Sequence, residues 1–254
     1  MRTNRIVSAI TALLTLTLLA FLGNPVVALA ANRKKSDSTV KIFVQYKLAK
    51  SGILDNGNVN VNVAANTITL TGSVPTIHDR TEAAREAGSV DDSYKIVDDL
   101  KVATPNVADG VLAKAVYKRV VNHSFYSVFD WLTVSAKNGI VTLNGWVNNP
   151  WEVNDYASEA SKVPGVRQIV NNLKVEFAQG YARYRAIRLI YDSPRYWGYS
   201  LQMNPPIHVV SNDGTLIIEG NVDSKAERGY LADLVTFRTN AIRVVDNLQI
   251  YPNN

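Results

Sequence analysis

The sequence predicts an α+β protein of three tandem αββαβ modules, each a small three-stranded sheet covered by two helices. Two sequence blocks that recur with the same spacing predict it, because a repeat of this kind marks copies of one structural unit. The first block occupies 66–74, 139–147 and 214–222, and the second occupies 96–102, 169–175 and 244–250. Both blocks share offsets of 73 and 75 residues, so one register relates all three copies.

The predicted segments of the chain follow from this register. They are a signal peptide at 1–30, a basic tail at 31–36, and modules at 37–104, 107–178 and 180–252.

A β-hairpin is predicted in each copy. In module 2, Leu132, Val134 and Ala136 alternate with polar residues, and a turn at Asn138 and Gly139 follows. Alternation with a period of two, closed by an Asn-Gly turn, is typical of a hairpin. The same pattern recurs in the other two copies, at Val59, Val61 and Val63 and at Ile207 and Val209.

The hairpin's second strand carries a glycine at the same position in each copy, at Gly72, Gly145 and Gly220. A glycine near a strand end marks a bulge, a bend or a close backbone approach, so we expect a structural role for it.

A helix is predicted to start directly after each hairpin. The same repeat position holds good N-cap residues in all copies, namely Thr76, Asn149 and Ser224. Three residues later each copy has a carboxylate, which suits the first helical turn: Asp79, Glu152 and Glu227. The final strand then carries the second repeated block.

Another amphipathic helix is predicted before each hairpin. Apolar residues recur at helical spacing in each copy: Val40, Val44 and Leu48; Leu112, Val116 and Val120; and Ala186, Ile187, Ile190 and Tyr191. The order of elements in each copy is therefore αββαβ.

The N-terminus has the pattern of a cleaved export signal. Arg2 and Arg5 precede a mainly apolar stretch, and the small residues at 28–30 form an A-x-A cleavage pattern. The competing interpretation is an uncleaved membrane anchor, since the apolar stretch approaches the length that spans a bilayer. Cleavage would leave a periplasmic chain without lipid modification, because the sequence contains no cysteine.

The formal net charge of +5 resides near the N-terminus. Arg2 and Arg5 leave with the signal, and the basic tail accounts for the remaining excess through Arg33, Lys34 and Lys35. The folded body is therefore close to neutral, which argues against a nucleic-acid partner. The tail can be drawn to anionic lipid, or it can be a solvated spacer.

The αββαβ order, the repeated Leu-x-Gly-x-Val strand and the Val-x-Asn-x-Leu-x-Val ending together resemble the BON domain family. The family is named for an osmotically induced periplasmic protein and for nodulation proteins, and the resemblance covers three copies in tandem. It implies attachment rather than catalysis: phospholipid binding, envelope integrity under osmotic or other stress, and chaperone-like docking.

Catalytic and metal-binding patterns are not found. His78, His123 and His208 are scattered without metal-ligand spacing, and no phosphate-binding loop or nucleophile elbow occurs. The sequence therefore predicts a protein that is not an enzyme and holds no cofactor.

One segment combines arginines with aromatic rings. We expect it to contact lipid through Tyr181, Arg183, Tyr184, Arg185, Arg188, Arg195, Tyr196 and Trp197. Arginine heads and aromatic rings suit a membrane interface, whereas the competing interpretation is an ordinary core-facing helix with solvated arginines. The expected partner is an anionic phospholipid or membrane surface, with envelope proteins as further partners. The alternative function is a periplasmic protein-binding chaperone or scaffold, which would use a groove or a sheet edge.

Overall fold

The computed structural model describes residues 35–175, 181–199, 204–212 and 214–251. The predicted signal peptide and most of the basic tail lie outside these residues. The chain divides into two compact units, one ending at Pro105 and one starting at Asn106. The first unit holds module 1, and the second holds modules 2 and 3.

Each module contains helices and a small sheet, so the predicted α+β class is correct. Module 1 consists of α1 (Asp37–Lys50), α2 (Ile53–Asn56), β1 (Asn58–Ala64), β2 (Thr67–Val74), α3 (Ile77–Gly88) and β3 (Lys95–Val102). Module 2 consists of α4 (Asp109–Val121), β4 (Trp131–Lys137), β5 (Ile140–Val147), α5 (Pro150–Ser161) and β6 (Gln168–Val175). Module 3 consists of α6 (Tyr181–Tyr191), a 3-10 turn (Trp197–Tyr199), β7 (Ile207–Asn212), β8 (Thr215–Val222), α7 (Lys225–Arg238), β9 (Arg243–Asp246) and β10 (Gln249–Ile250).

The sheets of modules 1 and 2 share one topology. The first two strands pair antiparallel as a hairpin, and the third strand pairs parallel with the second, so the hairpin's second strand is central. In module 1 the predicted helix positions Val40, Val44 and Leu48 are fully buried against this sheet, as are Ile68 and Leu70 of β2. The helical spacing of the sequence therefore identified the core face correctly.

Module 3 departs from the prediction of three continuous strands. Its third strand is split into β9 and β10, both of which pair parallel with β8. At the break the Leu248 N–H donates to the Asp246 carboxylate instead of a strand carbonyl, and Asn247 N bonds to Ile218 O. Modules 1 and 2 have the same side-chain bond within a continuous third strand, so this bond does not by itself explain the break.

The short helix α2 was not predicted. It begins after Gly52, which adopts a left-handed conformation with φ of 76°, and it buries Ile53 in the module 1 core. Such a four-residue helix has no periodic pattern long enough to be read from sequence.

The repeated glycine permits a close approach of two backbones, as expected. All three copies have positive φ, and an added Cβ at Gly145 would lie 2.0 Å from the carbonyl oxygen of Trp131 on the paired strand. At Gly72 and Gly220 the corresponding distances are 1.9 Å and 2.1 Å. No ligand is needed to explain this residue.

The predicted side-chain caps are confirmed in modules 1 and 3. The hydroxyls of Thr76 and Ser224 accept the backbone N–H groups of Asp79 and Glu227 at 3.1 Å. In module 2 the Glu152 carboxylate accepts the backbone N–H of Asn149 at 2.6 Å. These bonds satisfy donors that a helix start leaves open.

Candidate functional site

Module 3 presents an exposed surface on its two helices, which we call the outer helical surface. It carries Tyr181, Tyr184, Arg185, Arg188, Leu189 and Tyr230. These residues line a groove of about 610 Å³, and Tyr181 is 71% exposed. Five of them come from α6 and Tyr230 comes from α7, so the groove follows both helices. Cationic heads beside aromatic rings can contact phosphate groups and the apolar boundary below them.

The eight residues predicted to contact lipid do not share one surface. Tyr181, Tyr184, Arg185, Arg188 and Trp197 are exposed. Arg183 and Tyr196 are only 1% and 4% exposed, so the prediction that they contact lipid is wrong. Arg195 does not line the groove, and its guanidinium is ion-paired with Asp223 and Glu227.

Arg183 points into module 2. Its guanidinium donates to Asn148 Oδ1 at 2.8 Å and lies 4.6 Å from the ring centroid of Phe129. A buried cation needs this combination of a hydrogen-bond acceptor and a π-face. The prediction that Arg183 contacts lipid is therefore wrong, and the sequence of α6 could not show this because the partner residues belong to a different module.

Tyr196 and Arg195 form a local cluster with Glu227. Both side chains donate to the Glu227 carboxylate, and Arg195 also bonds to Asp223 Oδ2 at 2.7 Å. Burial favours the neutral form of Glu227, but the hydrogen bonds from Tyr196, the Asp223 backbone and Arg195 prevail and lower its pKa. Burial and the bond to Glu227 raise the pKa of Tyr196. The cluster ties the 3-10 turn to the start of α7.

The helix pairs of modules 1 and 2 carry an ion pair that is not found between Tyr181–Tyr191 and Lys225–Arg238, the described helices of module 3. Lys47 lies 3.9 Å from Glu86 in module 1, and Arg119 lies 3.0 Å from Glu159 at the same place in module 2. The repeat register puts Leu234 where Glu86 and Glu159 stand. Each cation directly precedes a fully buried helix position, Leu48 in module 1 and Val120 in module 2. In module 3 the residue before the fully buried Ile190 is Leu189.

A second acidic position changes in the same way. Glu82 of module 1 and Asp155 of module 2 correspond to Tyr230 in module 3. Module 3 has therefore replaced two carboxylates with apolar or aromatic groups at its helix pair. Aligning the three copies shows these replacements, whereas the sequence of α6 alone does not.

Modules 2 and 3 meet at residues 127–131 and β7, a contact that we call the joint. The backbone N–H of Val209 donates to Val128 O at 3.0 Å, and His208 Nδ1 donates to Ser127 O at 3.1 Å. Asp130 is fully buried there and accepts bonds from Ser127 and from the Asn148 backbone N–H. The joint covers β7, whose residues 207–211 are all buried.

Two titratable groups of the joint have displaced pKa values. Burial, and then the charge of Glu152, raise the pKa of Asp130 to about 7, although bonds from Asn148 and Ser127 oppose the rise. Burial lowers the pKa of His208 to about 4. His208 is therefore neutral at physiological pH.

Within the described ranges no group of three or more His, Asp or Glu side chains is placed to hold a metal ion. No helix of these ranges combines the length and the apolar character that a membrane crossing requires.

Comparison with known protein families identifies two of the three modules. The BON domain family model matches residues 36–104 and 108–176, which together make up more than half of the chain. The chain is 22% identical over 149 residues to the "Uncharacterized protein in gshII 5'region" of Anaplasma centrale, covering 56% of this chain and 97% of that protein.

Two solved structures of CdsD, a structural protein of the type III secretion system of Chlamydia trachomatis, are also similar. The C-terminal domain is 11% identical with a TM-score of 0.25, and the alignment covers 87% of this chain and 100% of that one. The second structure has the same identity and TM-score, with coverage of 84% and 92%.

With αββαβ modules 1 and 2 both matched over nearly their full length, the chain belongs to the BON domain family.

Proposed function

We propose that this protein is an exported, non-enzymatic envelope protein that binds anionic phospholipid through the outer helical surface of module 3. The module itself, at 180–252, is proposed as a third BON domain. BON domains are binding domains associated with phospholipid. The proposed role of the attachment is to support envelope integrity under stress.

The observation that carries the proposal is the loss of carboxylates from the helix pair of module 3. Glu86 and Glu159 anchor interhelical ion pairs in modules 1 and 2, whereas Leu234 takes their position in module 3. The helix pair that carries Arg185 and Arg188 therefore has two fewer carboxylates than its counterparts, which raises its affinity for an anionic surface, and Asp192 is the carboxylate that still lines the groove. At the position of Glu82 in module 1 and Asp155 in module 2, module 3 has Tyr230, whose ring can reach the interfacial region of a membrane.

The two groove arginines are accessible for this contact. Arg185 and Arg188 are both exposed, and the ion pair of Arg188 with Asp192 is open at 3.6 Å. An ion pair between such solvated side chains contributes little, so phosphate groups can replace Asp192 at low cost.

Export places the proposed partner within reach. The predicted signal peptide at 1–30 would deliver the chain to the periplasm, where the basic tail adds a second, weaker attraction to anionic lipid.

Co-sedimentation of the purified protein with vesicles tests the proposal. We expect binding to phosphatidylglycerol-containing vesicles, no binding to phosphatidylcholine vesicles, and weaker binding at high salt. The double variant Arg185→Ala/Arg188→Ala should bind about 30-fold more weakly, since each basic residue near the surface contributes about 1 kcal/mol.

The matched control is Lys114→Ala/Lys118→Ala on α4, which removes the same charge from two exposed positions of module 2. Equal loss of binding in both double variants would show a general charge effect and refute the assigned surface. Absence of binding to every vesicle would refute the lipid function.

The second candidate function is a protein-binding chaperone or scaffold. The outer edge of β1 pairs with no other strand of the described residues, and Asn58, Asn60 and Asn62 on it are exposed. An open edge can accept an added strand from an extended polypeptide. Slower hydrogen exchange of β1 amides on addition of reduced, carboxymethylated α-lactalbumin would support this function, and unchanged exchange would reject it.

A further inference from the structure

The joint between modules 2 and 3 is flanked by a pocket with aromatic walls. Its volume is about 210 Å³, and its rings belong to Tyr117, Trp131, Tyr199 and Tyr251. Asn204 and Asn221 add amide groups, and His208 lies 5.3 Å from the Trp131 ring. Module 2 supplies Tyr117 and Trp131, and module 3 supplies the rest, so the pocket exists only because the modules are docked. Interfaces between domains are a common location of ligand sites.

No charged side chain lines this aromatic pocket within the part of the chain that is described. Burial keeps His208 neutral by lowering its pKa to about 4. The side chain of Asn204 hydrogen-bonds to the Tyr117 hydroxyl, and Asn221 contributes a second amide to the pocket wall. A pocket of rings and neutral amides does not suit an ion or a lipid headgroup. It suits an uncharged ligand with both apolar faces and hydroxyl or amide groups.

The rings of the pocket are departures from the repeat. Trp131 corresponds to Asn58 in module 1, and Tyr251 corresponds to Ala103. The module fold therefore does not require an aromatic residue at either position. Tyr199 and Tyr251 are also 42% and 52% exposed, so core packing does not account for them.

The pocket continues into a neighbouring cleft of about 400 Å³. The two share Tyr199, Asn221 and Tyr251, and the cleft adds the Arg195, Asp223 and Glu227 cluster. A ligand longer than one ring could therefore extend from the aromatic pocket along a more polar path.

We propose that the aromatic pocket binds a short neutral saccharide. The flat rings of Trp131, Tyr199 and Tyr251 would stack on the apolar faces of pyranose rings, and Asn221 would bond to hydroxyl or acetamido groups. This site is separate from the outer helical surface, so it does not depend on lipid binding.

An NMR titration of the purified protein with maltotriose, cellotriose and tri-N-acetylchitotriose tests the proposal. We expect a saturable shift of the Trp131 indole N–H with at least one of these sugars. Tyr199→Ala and Tyr251→Ala should each weaken that binding about tenfold, because each removes one stacking ring. The three probes also show whether the acetamido group is required.

The control variants are Tyr230→Ala and Phe237→Ala, which remove exposed rings of α7 outside the pocket. They should leave saccharide binding unchanged. Tyr251→Ala should in turn leave vesicle binding unchanged, so the two sites fail or succeed independently. Lack of a saturable shift with all three sugars, or binding that neither tyrosine variant weakens, would overturn the proposal.

Discussion

At the scale of single residues, the glycine of the central strand is the strictest steric requirement of the module. Its φ of 145° at Gly145 belongs to a region that other residues rarely adopt, and the carbonyl oxygen of Trp131 occupies the space of a Cβ. Both strands of the hairpin would have to separate before a side chain could fit. The glycine is thus determined by backbone packing and carries no information about ligands.

We expect Gly145→Ala to lower the free energy of unfolding by more than about 3 kcal/mol, combining a backbone clash with an unfavourable φ. Urea unfolding followed by circular dichroism measures it. The control is Gly229→Ala in α7, where the added Cβ would meet no atom within 4 Å beyond its chain neighbours and the adjacent helix backbone. That change should stabilise the protein by about 1 kcal/mol, as alanine does in helices. Similar effects of the two substitutions would contradict the steric explanation.

At the scale of elements, the repeated third-strand motif has a hydrogen-bonding basis. The side chains of Asp98, Asn171 and Asp246 each accept the backbone N–H two residues later, at 3.1, 3.2 and 3.0 Å. The second oxygen of Asp98 accepts Arg80 at 2.8 Å, and Asp246 accepts Arg228 at the same distance.

Module 2 satisfies the same position differently. Valine replaces the arginine at 153, and Asn171 uses its amide to donate to the Val153 carbonyl at 2.8 Å. The helix position thus holds arginine where the strand has aspartate, and it holds valine where the strand has asparagine. The helix and the third strand are joined in every module.

These bonds predict different costs for two substitutions at one position. Asp98→Asn keeps an oxygen for the Leu100 N–H and loses only a half-exposed ion pair, so it should cost less than about 1 kcal/mol. Asp98→Ala leaves that N–H without its acceptor and should cost about 1–2 kcal/mol. Thermal unfolding would separate the two, with Asp99→Ala at the exposed neighbouring position as the control. A cost for Asp98→Asn equal to that for Asp98→Ala would reject the assigned role.

The repeat made most elements predictable from sequence. Side-chain caps occur in two copies, at Thr76 and Ser224, and the buried helix faces recur in all three, so each copy supports the others. The position of Arg183 was not predictable, because its partners Asn148 and Phe129 are brought to it only when modules 2 and 3 dock. The aromatic pocket has the same origin, since its walls come from helices and strands distant in sequence.

At the scale of the whole molecule, the joint contains two groups, Asp130 and His208, whose displaced pKa values have opposite effects on stability as the pH changes. Ser127 donates to the Asp130 carboxylate, and its carbonyl accepts from His208. The pKa of Asp130 is raised to about 7, chiefly by burial. Its contribution to stability is therefore present below about pH 4, where the unfolded chain also becomes protonated, and is lost as the pH rises through 7. The pKa of His208 is lowered to about 4, so its contribution is present above about pH 6.5 and is lost as the pH falls through 4.

Between about pH 4 and pH 6.5 the two effects have opposite signs and similar size, so Asp130 and His208 together should contribute little pH dependence to the unfolding free energy. In Asp130→Asn only His208 of the two groups still titrates. The unfolding free energy should then rise with pH by up to about 1.4 kcal/mol per pH unit. His208→Asn, which installs the residue that module 1 has at position 60, should give a slope of the opposite sign. The slope of unfolding free energy against pH is the decisive readout, because any constant cost of either substitution cancels from it. Parallel pH profiles for the two variants would mean that the joint does not hold Asp130 protonated and His208 neutral, and that its packing is looser than these buried contacts require.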